Sequence, residues 1–397
     1  MTAAIQARLG RLLDESHELA PGDLVPFLAR ELEPLGFTAV VVYIANHEQR
    51  ALVPLAPFDQ YESLGIDSTL AGRVYQSATP ALVETRSDRL WLPIRDGVDR
   101  IGVLQLDHPS FDDGDEGMVA ACKQIAALVA QLVVSKNQLT DDFVIARRSR
   151  EMTLGAEIRW TSLPPLSFSC TSVSVAAALE PAYEVSGDAF DYALNGDALH
   201  LAVFDGLGHD LQSALLADMT VATYRHCRRR GSSLQETYTE VDELVRGTLG
   251  ENRFVTAQLA VLDVKQGQLQ LLNAGHPGPL MVRGGHITAM PRRRDALPLG
   301  LGDLTRDEVT VQEHALQRND RLLFFTDGVT EARASDGSLF GEQRLVDTIE
   351  RACSDQHVAA EAVRRLMHAL GEFHGHKWRD DATLMMVEWS DRPSRVP

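Results

Sequence analysis

The stretch EVSGDAFDYALNGDALHLAVFDGLGH, residues 184–209, decides the fold. Asn195-Gly196 is a two-residue hairpin signal flanked by alternating apolar residues. With those two as the turn, Leu194 pairs with Asp197, and the ladder runs outward until Asp188 faces Val203. Asp205 then lies two residues further along the strand, on the same face as Asp188 and diagonal to it. The rest of that face is Phe190, Tyr192, Leu199 and Leu201, a core face. Two carboxylates at the rim of a core face repel each other and lose hydration. A bound cation offsets both costs.

Two later segments repeat the pattern: FFTDGVTEA (324–332) and RDDATLMMV (379–387). Asp327 ends an apolar run and Asp380 opens a strand. If those strands are antiparallel, both acids fall at one edge of one sheet. All-oxygen ligands suit Mg²⁺ or Mn²⁺ and not zinc. Asp-held pairs of such ions activate a water for in-line attack on phosphorus. Any single Asp-Gly pair reads better as turn punctuation. Four acidic segments, each adjoining a hydrophobic strand, argue against that for the set. Asp191 and Glu331 read as structural or supporting acids. His209 is placed to protonate a leaving group, but a structural hydrogen bond is the favoured role. The thirteen histidines show no HExxH or other metal-ligand spacing.

The surroundings are those of an ordinary two-domain chain. There are 397 residues, 44% hydrophobic and 24% charged. A net charge of −18 opposes a general nucleic-acid binder, which needs a basic face. The four cysteines, Cys122, Cys170, Cys227 and Cys353, form no CxxC pair and read as reduced thiols. The N-terminus has no basic region followed by an apolar core, so no signal peptide is expected. Met118 to Val134 is apolar but carries Lys123, Gln124 and Gln131, and is not read as a membrane span. A cytoplasmic location is expected. No GxxxxGK[ST] or kinase glycine-rich loop supports a nucleotide-binding kinase.

Three regions are expected. Residues 1–137 form an α/β unit, with FTAVVVYIA (37–45) as a buried strand and two further strands across the Asp96-Gly97 loop. Their order, with helices flanking an antiparallel sheet, resembles a GAF domain; a PAS domain is the rival. Cys122 reads as packing, and no residue there identifies a ligand. Residues 138–165 form a helical linker, stopped by Pro164-Pro165. Across the end of the first region and into this linker, Leu128, Leu132, Leu139 and Phe143 recur at spacings of 4, 7 and 4, close to a coiled-coil seam. A homodimer through the first domain and this connector is expected. An ordinary linker packed on its own domain is the alternative. Residues 166–392 are strand-rich, with helices near 211–229, 233–248 and 356–372, which makes the class α+β.

In order along the chain, EMTLGAEIRWTSLPP, EVSGDAFDY, DGLGH, FVTAQLAVLD, NAGHPGPL, LPLGLG, FFTDGVTEAR and DDATL resemble the SpoIIE/RsbU-type metal-dependent serine/threonine phosphatases over about residues 150–389. The resemblance implies an α-β-β-α sandwich and two Mn²⁺ or Mg²⁺ ions. It also implies a phosphorylated anti-sigma-factor antagonist protein as partner, with an unknown signal acting at the N-terminal domain. Carried over by position, Asp205 bridges both metals and the Gly206 carbonyl holds one. Asp327 and Asp380 hold the other, Asp188 supports the first, and Asp381 takes a supporting place. NAGHP is implied to be a structural hairpin near the site. Two departures stand out. Ser186 occupies a usual glycine position and is expected opposite Asp205. Asp210 replaces the glycine after the GH and adds negative charge near the site. A non-catalytic scaffold that binds a phosphoprotein is the alternative function, but it would be free to lose one of Asp188, Asp205, Asp327 and Asp380.

Overall fold

The computed structural model describes residues 2–55, 61–83, 89–109, 111, 116–184, 186–208, 210–248, 253–288, 290–291, 294–354, 357–376, 378 and 380–390. The chain divides into two compact units that meet between Glu151 and Met152.

The first unit is a six-stranded antiparallel sheet. Ala39–Ala45 and Asp99–Asp107 lie at its centre, and the hairpin partner Arg89–Asp96 lies beside the latter. The strand AVVVYIA is buried on both faces, hence its unbroken apolar run. Val40, Val42 and Ile44 pack under the helices Thr2–Ser16, Leu24–Leu32 and Glu116–Lys136, while Val41 and Tyr43 meet the helix Leu70–Ser77. Glu116–Lys136 belongs to the one described helix apolar and long enough to cross a membrane by composition, and half of that window is buried. Met118, Cys122, Ile125 and Val129 of this helix fill the core, so Cys122 is packing.

The connector seam is not formed. The helix ends at Lys136 and is followed by a single 3₁₀ turn and a short helix, Asp142–Ala146. Leu132 and Phe143 are buried in the first unit's own core, and only Leu139 is well exposed, at 71%. Apolar spacing was satisfied by packing within the chain, the alternative that a two-heptad pattern always leaves open.

The second unit is two stacked antiparallel sheets covered by helices, the expected sandwich. The five-stranded sheet runs Gln312–Ala315, Gln268–Ala274, Val255–Asp263, Ala198–Gly206, Asp188–Asn195. The six-stranded sheet runs His286–Thr288, Leu280–Arg283, Arg321–Phe325, Ala382–Trp389, Val173–Glu180, Ser167–Ser169. Inner faces meet through Phe190, Leu201, Val203, Leu322, Phe324 and Met385. The helices Leu211–Arg230 and Leu234–Thr248 cover one outer face. Ala359–Phe373 and Gly341–Ser354 cover the other. The last helix was absent from the sequence reading, although Leu345, Ile349 and Ala352 carry its stripe at helical spacing.

The deciding hairpin differs from expectation by one turn position. Asn195 pairs with Ala198, so Gly196-Asp197 are the turn residues and Asp188 faces Asp205 directly. Gly196 sits at the first turn position with φ +60, which suits glycine there, as in a type II′ turn. Because the register moves by two residues, each side chain keeps its face.

Candidate active site

Period-two alternation builds the site. The inner face of the five-stranded sheet is apolar along its length and becomes polar at one end, with Asp188, Asp205 and Thr256. On the six-stranded sheet the same face, past Phe324 and Met385, ends in Thr326, Thr383 and Asp381. These residues lie where the inter-sheet core stops.

Asp188 is 1% exposed. Its Oδ2 accepts from the Thr326 hydroxyl at 2.7 Å and the Thr383 hydroxyl at 2.8 Å. The Thr383 N–H in turn donates to the Thr326 hydroxyl oxygen at 2.9 Å, which points the Thr326 proton at Asp188. Asp381 Oδ2 accepts the Gly187 N–H at 2.6 Å, and the Gly206 N–H donates to the Gly187 carbonyl at 3.1 Å. These contacts tie the two sheets together at the acids.

The glycines beside the acids are close-approach positions. A Cβ on Gly187 would sit 2.3 Å from the Gly206 carbonyl oxygen, and one on Gly328 would sit 1.8 Å from the Asp381 carbonyl. Gly187→Ala is therefore expected to displace Gly206 and lower turnover ~10²-fold, the scale of an ångström-level misplacement. Steady-state kinetics beside a melting curve check this; wild-type turnover in the folded variant would remove the role given to the contact.

Arg159, on the helix Leu154–Ser162, is 1% exposed and holds Asp218 at 2.5 Å. It also donates to the carbonyls of Ser186 and Ala214, both at 3.2 Å. The sequence reading missed it, because an arginine in a charged connector reads as solvated until its burial is seen.

The carboxylates are electrostatically loaded. Burial, then the charges of Asp205 and Asp381, push Asp188 well above the usual carboxylate range. Burial, then Asp327, Asp380 and Asp381, push Asp205 up to about 7. Burial, then Asp380 and Glu331, raise Asp327. Burial, with the Asp380 charge adding to it, raises Asp381 to about 6. Asp380 itself is exposed.

Both sequence departures are accommodated differently from expectation. Ser186 does not face Asp205. It is buried before the strand, where its hydroxyl oxygen accepts the Asp188 N–H at 3.1 Å. The two-residue register shift is the reason. Asp210 caps the helix Leu211–Arg230 by accepting the Ser213 N–H at 2.8 Å, and Arg253 pairs with it at 3.0 Å. Its charge is met by a helix N-terminus and a guanidinium and does not load the site. Asp191 is structural, buried between Arg225 and Arg228 on the outer face. His209 lies outside the described residues.

Among the described residues, no three His, Cys, Asp or Glu side chains converge tightly enough to form a ready-made ion nest. The charged groups that gather there, Asp188, Asp205, Asp327, Asp380 and Asp381, nonetheless offer only oxygen. Such a set fits Mg²⁺ or Mn²⁺.

Two helix-covered antiparallel sheets with an all-oxygen acidic cluster at one end of their shared core define a metal-dependent phosphatase class of domain. Residues 195–390 match the family model described as Stage II sporulation protein E (SpoIIE). The chain carries a SpoIIE-family phosphatase domain of the PPM type. It is 23% identical over 239 residues to phosphoserine phosphatase RsbU of Bacillus subtilis, covering 60% of this chain and 69% of RsbU. It is 24% identical over 298 residues to protein IcfG of Synechocystis, covering 66% of this chain and 46% of IcfG. The solved RsbU and RsbW domains of Rv1364c from Mycobacterium tuberculosis align at 25% identity and a TM-score of 0.46, over 56% of this chain and 62% of that one. The chain thus spans about half of IcfG and under two thirds of the Rv1364c chain.

Proposed function

We propose that the second unit hydrolyses phosphoserine or phosphothreonine on a small folded anti-sigma-factor antagonist, under control of the GAF-like first unit. The observation that carries the reading is the gathering of buried Asp188 and Asp381 and half-buried Asp205 at one end of the inter-sheet core, beside Asp327 and Asp380. That much negative charge at a water-accessible rim is a site for cations.

In this reading Asp205 and the Gly206 carbonyl would hold one divalent ion, supported by Asp188, and Asp205, Asp327 and Asp380 would hold a second. When bound, such ions supply positive charge for the phosphoryl oxygens and lower the pKa of water. The chain's own residues fix the frame. Thr326 and Thr383 orient Asp188, and Asp381 holds the Gly187 backbone against Gly206. Arg159 anchors the Ser186 carbonyl. A protein substrate is supported by an exposed apolar stripe beside the site, Leu211, Leu215 and Met219 at 39%, 42% and 40% exposure, which follows Leu207. The same relation to RsbU, a phosphoserine phosphatase, supports the phosphoserine preference. A cytoplasmic homodimer stays in the proposal, without the connector seam.

The test is release of phosphate from a panel of phosphorylated proteins by the full chain, with Mn²⁺, with Mg²⁺ and with chelator. Hydrolysis of phosphoserine antagonist proteins only with metal is the expected result. Tight binding without turnover would establish the scaffold reading instead, and preference for phosphotyrosine peptides would reject the substrate class. Light scattering on the same sample reports the homodimer, which a monomer at assay concentration removes.

A further inference from the structure

The buried histidine of the NAGHP segment has no part in the site as described so far. His276 is 4% exposed and lies in a loop fixed on every side. Its N–H donates to Asn273 Oδ1 at 2.8 Å, and Asn273 Nδ2 donates back to the His276 carbonyl at 2.8 Å. Gly275 turns the chain at φ +66, where a Cβ would meet Pro298 at 2.6 Å. The ring is thereby held between the two sheets.

Its two nitrogens have different partners. Nε2 lies 3.0 Å from the Phe325 carbonyl oxygen, and Nδ1 lies 2.7 Å from the Thr256 hydroxyl. A carbonyl only accepts, so Nε2 carries the proton. Burial pushes His276 down to about 4, so the ring is neutral at neutral pH and Nδ1 is an acceptor. The single hydroxyl proton of Thr256 is therefore used on His276. Thr256 is also the cross-strand partner of Asp205, and its hydroxyl lies 3.5 Å from Asp205 Oδ2. That distance is beyond the ordinary range for an O–H···O bond.

We propose that His276 is a positioning residue that holds the Thr256 hydroxyl turned away from Asp205 and so keeps that carboxylate open to a divalent cation. Without the imidazole acceptor, the Thr256 hydroxyl turns to its other acceptor, Asp205 Oδ2, and competes with the ion for it. The role rests on the metal reading given above.

The experiment is Mn²⁺ titration by calorimetry on the full chain, as a double-mutant cycle of His276→Phe and Thr256→Val, with melting curves for each protein. His276→Phe is expected to weaken Mn²⁺ about 10-fold, the lower end for losing an outer partner of a metal ligand. In the Thr256→Val background, where no hydroxyl remains to turn, the same substitution is expected to change affinity by less than about twofold. An equal loss in both backgrounds means that His276 acts through general packing, and overturns the proposal. Nitrogen spectra of the histidine-labelled wild type give a second arm that does not depend on a variant folding. The expected form is the Nε2–H tautomer, and an Nδ1–H or doubly protonated ring overturns the proposal. A wild type that binds no Mn²⁺ rejects the metal reading and this role with it. A wild type that binds Mn²⁺ beside an unaffected His276→Phe rejects this role alone.

Discussion

Asp205→Asn is expected to reduce turnover to assay background, a loss on the order of 10³-fold or more, the scale of removing one fixed element from a preorganised electrostatic site. The residue stands directly opposite Asp188, its carboxylate is charged against Asp327, Asp380 and Asp381, and its neighbour Gly206 is clamped to Gly187. Asparagine keeps the shape and one carbonyl oxygen but removes the charge that a shared cation needs. Turnover of a phosphoserine protein in Mn²⁺ is the measurement, with Mn²⁺ affinity by calorimetry beside it. Undiminished turnover, or wild-type turnover in excess chelator, rejects the two-ion reading.

The same substitution is expected to stabilise the metal-free protein, increasingly so as the pH rises. The folded-state pKa of Asp205 is about 7, against an ordinary value of 3.8. The folded form thus binds the proton more tightly than the unfolded form. Below the ordinary value both states are protonated and the group is neutral toward stability. Between about 4 and 7 the unfolded form gives up its proton while the folded form keeps it, so folding must take up a proton and stability falls as the pH rises. The ceiling is roughly 4 kcal/mol at ~1.36 kcal/mol per pKa unit, shared with the coupled neighbours. Melting curves in chelator from pH 5 to 8 should show wild type falling relative to Asp205→Asn, and Mn²⁺ should restore wild type alone. A gap between the two proteins that stays constant with pH would falsify the claim that half-buried Asp205 is held against like charge. Loss of turnover with a gain in apo stability is the signature of a carboxylate retained for chemistry at a cost in folding.

How much was legible varies residue by residue. Asp188 and Asp205 fell on one face in the sequence reading and do so in the structure, because face depends only on parity and survives a shift of two. Which residue stands opposite depends on the turn. There Gly196, and not Asn195, takes the first position. That one-place difference moved Ser186 from facing Asp205 to accepting the Asp188 N–H. Asp210 read as an added charge at the site, and the fold made it a helix cap paired with Arg253. Leu132 and Phe143 read as a seam, and the first unit buried them in its own core.

The residues by themselves determined the α+β class and the acids at strand ends; the sandwich came from the family resemblance of the motifs in their order. The class and the acids are local: strand period, turn chemistry, and an acid next to a glycine at a strand end. Only the tertiary structure decided what surrounds the acids. Thr326 and Thr383 reach Asp188 from the other sheet, across 138 and 195 residues of chain. Arg159 reaches Ser186 from the connector, and His276 reaches Thr256 and Phe325 from a loop. These are contacts between elements distant in sequence. They are set by how the two sheets stack and where their shared core ends, which no local pattern in the chain encodes.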